Sequence, residues 1–352
     1  MEKAWALRRA TDFKVVSVIQ RPGMPDYSEI FQRMGGSFFG QECRTEKELV
    51  QVAHDADFII THTRSRPIGA DVIHGLENCK AILGIGIGYD GVDVEAATRH
   101  GICVVNNPDY CLQEVSDHAM ALILACSRGI VQFDNTVRSR PTGSDVVFSQ
   151  EVKKLYYKVD TLRGKTLGII GFGRTSRRLA PKALALGMKL IAFDPHVKND
   201  DAANWKVELV GLTDLLSESD FVLVQAALNP ETRHLLSADQ FKIMKPSAFL
   251  INTARGAIVD ENALYTALAG GLIAGAGLDV TEIEPLQPNS PLIALDNVIL
   301  TGHSAHASKT SWAKLWYNPV EQIARVLRGE WPTGLVNPEV KENFAERWGK
   351  MR

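Results

Sequence analysis

The sequence predicts an α/β fold in which parallel sheets are covered by helices. Short apolar runs of strand type alternate with helical stretches along the first hundred residues, and this alternation is typical of a parallel sheet. A second series of such runs begins around a glycine turn near residue 171. A length of 352 residues suggests about two domains, and a hydrophobic content of 45% is enough for a core in each.

Four strands and three helices are predicted in the first domain. The strands are expected at residues 13–19, 57–61, 81–84 and 102–105, and the helices at residues 46–54, 71–77 and 94–100. We expect residues 1–114 and 305–352 to form this domain and residues 115–304 to form the second. A further helix is predicted at residues 311–327, and the last residues are expected to return to the first domain.

The link between the domains is an apolar segment, residues 113–130, which predicts a helix buried between domains or subunits. Polar, turn-rich residues at 138–149 follow and are consistent with an arm that reaches out before the second sheet begins. A homodimer is therefore expected.

The second domain is organised around the segment KTLGIIGFGRTSRRLA, residues 165–180. Residues 166–170 read as a strand, Gly171 to Gly173 as a tight turn, and residues 174–186 as a helix. Gly171 permits the turn, and Gly173 has no side chain to keep a pyrophosphate from the helix N-terminus, where unpaired N–H groups attract anions. The alternative is a glycine turn that binds nothing.

A carboxylate at the end of the next strand supports nucleotide binding. The strand at residues 190–193 ends at Asp194, which is placed to accept hydrogen bonds from an adenosine ribose. This acidic residue favours NAD over NADP. Ser176 replaces the third glycine of the usual pattern and is expected to loosen the close packing of helix on strand, although a residue this small could fit there. We therefore expect two Rossmann-like or flavodoxin-like parallel-sheet domains, with an NAD site in the second.

Loops at strand ends are the expected ligand sites, because open α/β sheets bind ligands beyond the carboxyl ends of their strands. The chain crosses twice between the domains, which predicts an interdomain active-site cleft. In the first domain, residues 84–93 include four glycines. Their backbone amides could form a nest that binds a carboxylate. The alternative is that the segment is a mobile turn. Arg64 and Arg66 follow another strand, and alternation directs at most one of them into the cleft. A solvated surface arginine is the alternative for each of them.

Three polar side chains follow strands of the second domain. Arg255 comes directly after a buried strand, and its planar guanidinium suits the neighbouring oxygens of a 2-oxo acid. His303 ends another strand and could exchange a proton near neutral pH. Glu284 could pair with it, although the sequence alone does not bring them together. Most of the nine histidines are expected to be structural.

These motifs, in this order, resemble the D-isomer-specific 2-hydroxyacid dehydrogenase family over nearly the whole chain. They are GIGYDGVD, GIIGFGR, NPETRHLL, NTARG, LDVTEIEP and TGHSA. The C-terminal half resembles the C-terminal binding proteins, and TRSRPI resembles a substrate-domain motif of phosphoglycerate dehydrogenase. The resemblance implies an NAD(H)-dependent oxidoreductase that interconverts a small 2-oxo acid and the D-2-hydroxy acid.

The resemblance also implies a role for each site residue. His303 would be the acid/base, Glu284 would hold and charge its imidazole, and Arg255 would polarise the carbonyl and bind the carboxylate. The same carboxylate would be bound by amides around Gly86, Ile87 and Gly88. Separately from the resemblance, Arg64 is a candidate substrate contact, since it could meet a second negative charge on the substrate if it faces the cleft. The cofactor residues implied are Gly171, Gly173, Arg174, Thr175, Asp194, Ala226, Thr232, Thr253, Ala254 and Asp279.

Departures from the family pattern leave alternatives open. Ser176, Thr175, Gln225 and Ala227 replace usual residues near the cofactor, and His306 stands where C-terminal binding proteins have tryptophan, so their substrate preference is not transferred. An NADH-sensing co-regulator with incidental dehydrogenase activity is the second hypothesis, because those relatives retain the same three side chains. The sequence does not identify the 2-hydroxy acid.

Composition limits the remaining partners. A net charge of −2 without long runs of one sign indicates neither nucleic acid nor an anionic membrane. The N-terminus lacks an apolar signal core and no apolar run could span a bilayer, which makes the cytoplasm the expected compartment. Five cysteines without a CxxC pair are expected to be reduced, and His303 with His306 lacks a third metal ligand.

Overall fold

A computed structural model describes residues 12–62, 67–139, 150–156 and 158–352. Two compact units are present. The first comprises the described residues up to Tyr110 together with Ser308–Arg352, and the second comprises Cys111–Ala307. Each has its own parallel sheet, as the alternation of strands and helices predicted.

The first unit contains a five-stranded sheet in the order β2-β1-β3-β4-β5, with every neighbouring pair parallel. Its strands are β1 (Phe13–Ser17), β2 (Gly36–Gly40), β3 (Phe58–Thr61), β4 (Ala81–Gly84) and β5 (Cys103–Val105). Its N-terminal helices are α1 (Ser28–Arg33), α2 (Glu46–Ala53), α3 (Ala70–His74) and α4 (Val94–Arg99). The edge strand β2 was not predicted, because its sequence GSFFG is short and half exposed and has glycine at both ends.

The two faces of this sheet have different cores. One face packs aliphatic residues of α2, α3 and α4, among them Leu49, Ile73 and Ala97, against Ile59 and Ile82 of the strands. The other face carries rings that meet edge to face, including Phe13 with both Phe31 and Phe58. Burial of apolar surface on both faces explains why these strands are continuous apolar runs.

The C-terminal segment completes the first unit. It contains α13 (Lys309–Leu327), a 3₁₀ turn (Pro338–Val340) and α14 (Lys341–Trp348). The buried amide of Asn337 accepts from the Val104 N–H at 2.8 Å and donates to the Ile102 carbonyl at 3.0 Å. These hydrogen bonds, together with the one from the Val336 N–H to the Val104 carbonyl at 2.8 Å, fasten the end of the chain along the edge of β5.

The second unit contains a seven-stranded sheet in the order β12-β11-β10-β9-β6-β7-β8, again parallel throughout. Its strands are β6 (Thr166–Ile170), β7 (Lys189–Phe193), β8 (Glu208–Leu209), β9 (Phe221–Val224), β10 (Phe249–Asn252), β11 (Gly275–Leu278) and β12 (Val298–Leu300). Its helices are α5 (Leu112–Arg128), α6 (Ile130–Arg138), α7 (Gln150–Tyr156), α8 (Arg174–Ala185), α9 (Asn199–Ala203), α10 (Leu212–Glu218), α11 (Ala238–Ile243) and α12 (Glu261–Ala269), with 3₁₀ turns at Gly256–Ile258 and Pro291–Ala294. The strand order reverses between β6 and β9, and such a switch point is where doubly wound sheets bind ligands.

Both faces of this sheet are covered. Leu167 and Ile169 of β6 pack with α5, α8 and α9, while Ile170 packs with α10, α11 and α12. The helix α5 buries one face, at Ser116, Ala119, Met120, Leu122, Ile123, Cys126 and Ser127, against α8 and strands β10 and β11 of the same unit. Its other face is partly exposed in the single chain, and burial of that face between domains or subunits stays a prediction.

The link segment ends differently from the prediction. Gly129, at φ +60°, terminates α5, so the helix predicted at residues 113–130 ends at Arg128 and a second helix, α6, begins at Ile130. No residue of α6 is buried, and Ile130 and Val137 are more than half exposed. The predicted polar arm at residues 138–149 falls almost entirely outside the described residues. None of the described helices is long and apolar enough to cross a membrane.

Candidate active site

The glycine turn after β6 has the geometry that its sequence predicts. Gly171 has φ +91°, and a Cβ there would lie 2.7 Å from backbone atoms of Ala226, so the position requires glycine. A Cβ on Gly173 would meet no atom within 4 Å, which leaves open space in front of the first turn of α8. The N-terminus of α8 therefore offers its unpaired amides to an anion.

Ser176 has a structural role that the sequence did not indicate. Its side chain is fully buried, and its hydroxyl donates a hydrogen bond of 2.6 Å to the Gly171 carbonyl. The expected loosening of the helix against the strand is absent at this position. A serine thus supports the turn by a hydrogen bond where the usual pattern relies on the small size of glycine.

Asp194 ties the end of β7 to the same turn. One carboxylate oxygen accepts from the Phe172 N–H at 2.8 Å, and the other accepts from the His196 N–H at 2.9 Å. Each carboxylate oxygen has about two acceptor positions, so both retain capacity for a ribose hydroxyl. The turn and the carboxylate together fit the pyrophosphate and ribose of a dinucleotide.

The other predicted cofactor residues lie at or just beyond strand ends of this sheet. Arg174 and Thr175 begin α8, Ala226 and Thr232 follow β9, Thr253 and Ala254 follow β10, and Asp279 follows β11. The Gln225 amide donates to the Thr253 hydroxyl, which joins the ends of β9 and β10. The Thr232 hydroxyl donates to the Ala227 carbonyl at 2.7 Å and shapes the loop between β9 and α11.

His303 and Glu284 are brought together by two loops. His303 Nδ1 lies 2.8 Å from Glu284 Oε2, and the two side chains are 34% and 19% exposed. A carboxylate can only accept, so Nδ1 carries the proton and Nε2 is left to exchange one. The Glu284 carboxylate also accepts from the Thr281 N–H at 3.3 Å, which fixes it from its own loop.

Arg255 continues from β10 in extended conformation. Its Nη1 donates to the Ala254 carbonyl at 2.8 Å. A Cβ on the next residue, Gly256, would lie 2.0 Å from backbone atoms of Thr281, so the Arg255 segment packs directly on the loop that carries Glu284. The close approach of the two backbones explains the glycine of the NTARG motif.

Asp279 organises the loop that carries His303. Its side chain is 1% exposed, and Oδ1 accepts from the Thr301 hydroxyl at 2.6 Å and from the Ser304 N–H at 2.9 Å. Its backbone carbonyl accepts from the His303 N–H at 2.5 Å. The loop holds His303 at φ +59°, a strained conformation for a non-glycine residue.

Two residues of this network, His118 and Thr301, are not predicted from the sequence. His118, on α5, places Nε2 2.9 Å from Thr301 Oγ1 and 3.6 Å from Asp279 Oδ1. Thr301 could have been suspected, since it precedes the Gly302–His303 pair at a strand end. His118 lies 183 positions before Thr301, in a helix with no distinguishing motif, and so only the fold reveals their contact.

His306 lies beside His303, with ring centroids 6.0 Å apart and planes at 78°. Burial lowers the pKa of the His306 imidazole, and the neighbouring His303 lowers it further. Both causes favour a neutral ring. Among the described residues, no group of three or more His, Cys, Asp or Glu side chains could hold a metal ion.

The predicted substrate residues of the first unit are only partly described. The carbonyl of Gly86 accepts from the Asn107 N–H at 2.9 Å, and the carbonyl of Ile87 accepts from the Asn106 side-chain amide at 2.8 Å. Two asparagines after β5 therefore hold the Gly86–Gly88 loop by its carbonyl oxygens. Arg64 lies outside the described residues.

Fold and site together define an NAD-binding dehydrogenase. A sequence model described as "D-isomer specific 2-hydroxyacid dehydrogenase, NAD binding domain" matches residues 120–305. The chain is 38% identical over 296 residues to a glyoxylate reductase of Korarchaeum cryptofilum, covering 84% of this chain and 87% of that protein. It is 37% identical over 310 residues to a D-3-phosphoglycerate dehydrogenase of Methanocaldococcus jannaschii, covering 88% of this chain but only 56% of that longer protein.

A solved structure agrees. The D-lactate dehydrogenase of Aquifex aeolicus, complexed with NAD and lactic acid, superposes with a TM-score of 0.79 at 27% identity, covering 90% of this chain and 96% of that chain. The chain belongs to the D-isomer-specific 2-hydroxyacid dehydrogenase family. It is an NAD-dependent oxidoreductase of 2-oxo and 2-hydroxy acids.

Proposed function

We propose that the chain reduces a small 2-oxo acid to the D-2-hydroxy acid, and catalyses the reverse reaction, with His303 as the acid/base. The observation that carries this assignment is the 2.8 Å contact between His303 Nδ1 and Glu284 Oε2. Glu284 orients the ring and stabilises the imidazolium, so that Nε2 donates a proton to the keto oxygen. In the oxidative direction Nε2 takes the proton from the hydroxyl group.

The residues of the second unit fit the nicotinamide dinucleotide. The amides before α8 and Arg174 would hold the pyrophosphate, Asp194 the ribose, and Asp279 the carboxamide. When bound, the nicotinamide supplies or accepts the hydride. The negative charge of Asp194 would repel the 2′-phosphate of NADP, which favours NAD. Thr175, Ala226, Thr232, Thr253 and Ala254 would line the remaining cofactor surface.

Substrate binding is assigned to positive charge and backbone amides. Arg255 would polarise the carbonyl and bind the carboxylate, because its guanidinium presents two parallel donors. The amides of Gly86, Ile87 and Gly88 would bind the same carboxylate, and Arg64 would meet a second anionic group on larger substrates. The names of the relatives make glyoxylate the first substrate to test.

A panel of 2-oxo acids with NADH tests the function. Wild-type protein is expected to turn over at least one acid rapidly, and His303→Ala is expected to lower kcat by about 10²–10⁴-fold while NADH binding, followed by fluorescence titration, stays within a few-fold. His306→Ala, at the neighbouring imidazole, shows whether the loss belongs to His303. Undiminished turnover by His303→Ala would remove it from the mechanism. Slow turnover of every acid with tight NADH binding would favour the NADH sensor.

We also propose a cytoplasmic homodimer. The five cysteines, all within the described part of the chain, are buried thiols, in keeping with a reducing compartment. The exposed apolar side chains of α6, Ile130 and Val137, offer a surface that a second copy could cover. Sedimentation velocity at micromolar concentration is expected to give twice the monomer mass of 38.7 kDa, and a single species of monomer mass would contradict the dimer.

A further inference from the structure

The carboxylate of Asp279 is almost completely buried, and most of its hydrogen-bond donors lie near one of its two oxygens, Oδ1. Oδ1 lies within hydrogen-bonding distance of the Thr301 hydroxyl and of the Ser304 and Ala305 N–H groups, and Oδ2 lies 3.2 Å from the same Ala305 nitrogen. Burying a charge with one side chain and a few amides as partners is costly unless the donors are held in place. The orientation of the Thr301 hydroxyl therefore matters.

Counting protons fixes that orientation. The Thr301 hydroxyl has one proton, and its 2.6 Å contact with Asp279 Oδ1 uses it, because a carboxylate only accepts. The 2.9 Å contact between Thr301 Oγ1 and His118 Nε2 must then have the imidazole as donor. The hydrogen bonds run in one direction, from His118 through Thr301 to Asp279.

We propose that His118 is a positioning residue for the reaction: its Nε2–H holds the Thr301 hydroxyl on Asp279 and so fixes the carboxylate and the loop of His303. His118 is 3.6 Å from the Asp279 carboxylate, beyond direct hydrogen-bonding distance, so its influence passes through Thr301. The inference rests on the proposed function, in which Asp279 binds the nicotinamide carboxamide. It adds a donor from a helix outside all of the family-like motifs.

The geometry identifies what the loss of this donor would do. Without His118 the Thr301 hydroxyl can rotate away from Asp279 and donate elsewhere, which leaves the buried Oδ1 with backbone donors only. The carboxylate would then bind the carboxamide less tightly. The loop would also lose definition, because Asp279 anchors it at Ser304, Ala305 and the His303 N–H. Both the affinity for NADH and kcat should therefore decrease.

Two variants at the same position separate a hydrogen bond from simple packing. In His118→Gln the side-chain amide can place an N–H near the position of Nε2, while His118→Leu fills the site without a donor. We expect His118→Leu to raise the NADH dissociation constant, measured by fluorescence titration, and to lower kcat, each by about five- to tenfold. His118→Gln should recover most of both values. Gln113→Leu, an exposed change on the same helix, is the control.

Equal NADH affinity and equal kcat in His118→Leu and His118→Gln would overturn the proposal. Thermal unfolding of each protein without NADH checks that the variants are folded. If His118→Leu does not fold, ¹⁵N NMR of histidine-labelled wild type gives an independent measurement. A proton on His118 Nε2 is expected, and an Nε2 without a proton would refute the direction of the hydrogen bonds.

A double-mutant cycle tests the route through Thr301. In a Thr301→Val background, His118→Leu should change NADH affinity by less than about twofold, because the intermediary is already lost. Full additivity would overturn the proposal. The cycle is read from NADH binding alone, so it remains informative if no 2-oxo acid is turned over. Absence of turnover with every 2-oxo acid would contradict the proposed function, but it would not contradict the role of His118 in NADH binding.

Discussion

At the residue scale, the site depends on a few side chains whose types could be chosen from the sequence but whose contacts could not. Glu284, Arg255 and His303 could be chosen as candidate site residues because a carboxylate, a guanidinium and an imidazole follow apolar strands. The 2.8 Å contact of His303 with Glu284 depends on two loops that begin after different strands, and no local pattern specifies it. The resemblance to a family supplied that pairing, and the structure gives its geometry.

The two glycines of the nucleotide turn should respond differently to the same change. Gly171→Ala introduces a Cβ 2.7 Å from Ala226 at φ +91°, so we expect it to lower the free energy of unfolding by about 1–3 kcal/mol. Gly173→Ala meets no protein atom within 4 Å and should leave stability nearly unchanged, while it weakens NADH binding by obstructing the pyrophosphate. Chemical denaturation and NADH titration of both variants provide the measurements.

Each variant is the control for the other. A Gly173→Ala protein with normal NADH affinity would show that the space in front of α8 is not used by the pyrophosphate. A Gly171→Ala protein as stable as the wild type would show that the turn can relax around an added Cβ.

At the element scale, most strands and helices follow from periodicity, and the exceptions have physical reasons. Strand β6 was predicted at the observed residues, because an apolar run bounded by a lysine and a glycine leaves little ambiguity. Strand β2 was missed, since an edge strand with one exposed face needs no continuous apolar run. The helix break at Gly129 was missed because apolar residues continue on both sides of it.

The loop between β11 and β12, which carries Glu284, is held in place by contacts of the nearby Glu282. Glu282 Oε1 lies 2.6 Å from His234 Nε2 and 3.3 Å from Arg233 Nη2. The Glu282 N–H donates to the Glu261 carboxylate at 2.9 Å, which joins the loop to the start of α12. The first two contacts are made by the side chain of Glu282 and the third by its backbone, two positions before Glu284, so they hold the backbone from which Glu284 reaches His303.

We expect Glu282→Ala to lower kcat by about tenfold, because about 1–2 kcal/mol of hydrogen bonding to charged partners is lost and Glu284 is less well placed. NADH affinity should change little, since Glu282 is not among the proposed cofactor residues. Steady-state kinetics and NADH titration measure the two effects. The exposed Glu231→Ala is the control. An unchanged kcat in Glu282→Ala would show that Glu284 is positioned without this support.

At the scale of the whole molecule, buried thiol and tyrosine hydroxyl groups predict how the free energy of unfolding depends on pH. Burial raises the pKa of the Cys79, Cys103 and Cys126 thiols to about 12 and raises the pKa of the Tyr27 hydroxyl above its ordinary value. These groups stay protonated in the folded chain at pH values where the unfolded chain releases their protons. Their contribution to stability is therefore complete below the ordinary pKa values and is lost as pH rises towards the folded ones.

The urea midpoint is expected to be highest near neutral pH and to fall between about pH 9 and 11. Tyr27→Phe removes one of the titrating groups, together with its hydrogen bond of 2.6 Å to the Trp316 carbonyl. This variant should be less stable at pH 7 by about 1 kcal/mol and should lose less stability on going to pH 11. A midpoint that stays constant, or rises, over this range would contradict the assignment.

The path of the chain through the two units has a consequence for synthesis on the ribosome. Residues Cys111–Ala307 are contiguous, so the nucleotide-binding unit has all of its sequence once that stretch has emerged. The N-terminal unit is translated earlier but lacks the hydrogen bonds of Asn337 until the final residues arrive. A premature stop codon after the codon of Ala307 would thus damage the unit that is made first and leave the unit that is made later with its whole sequence.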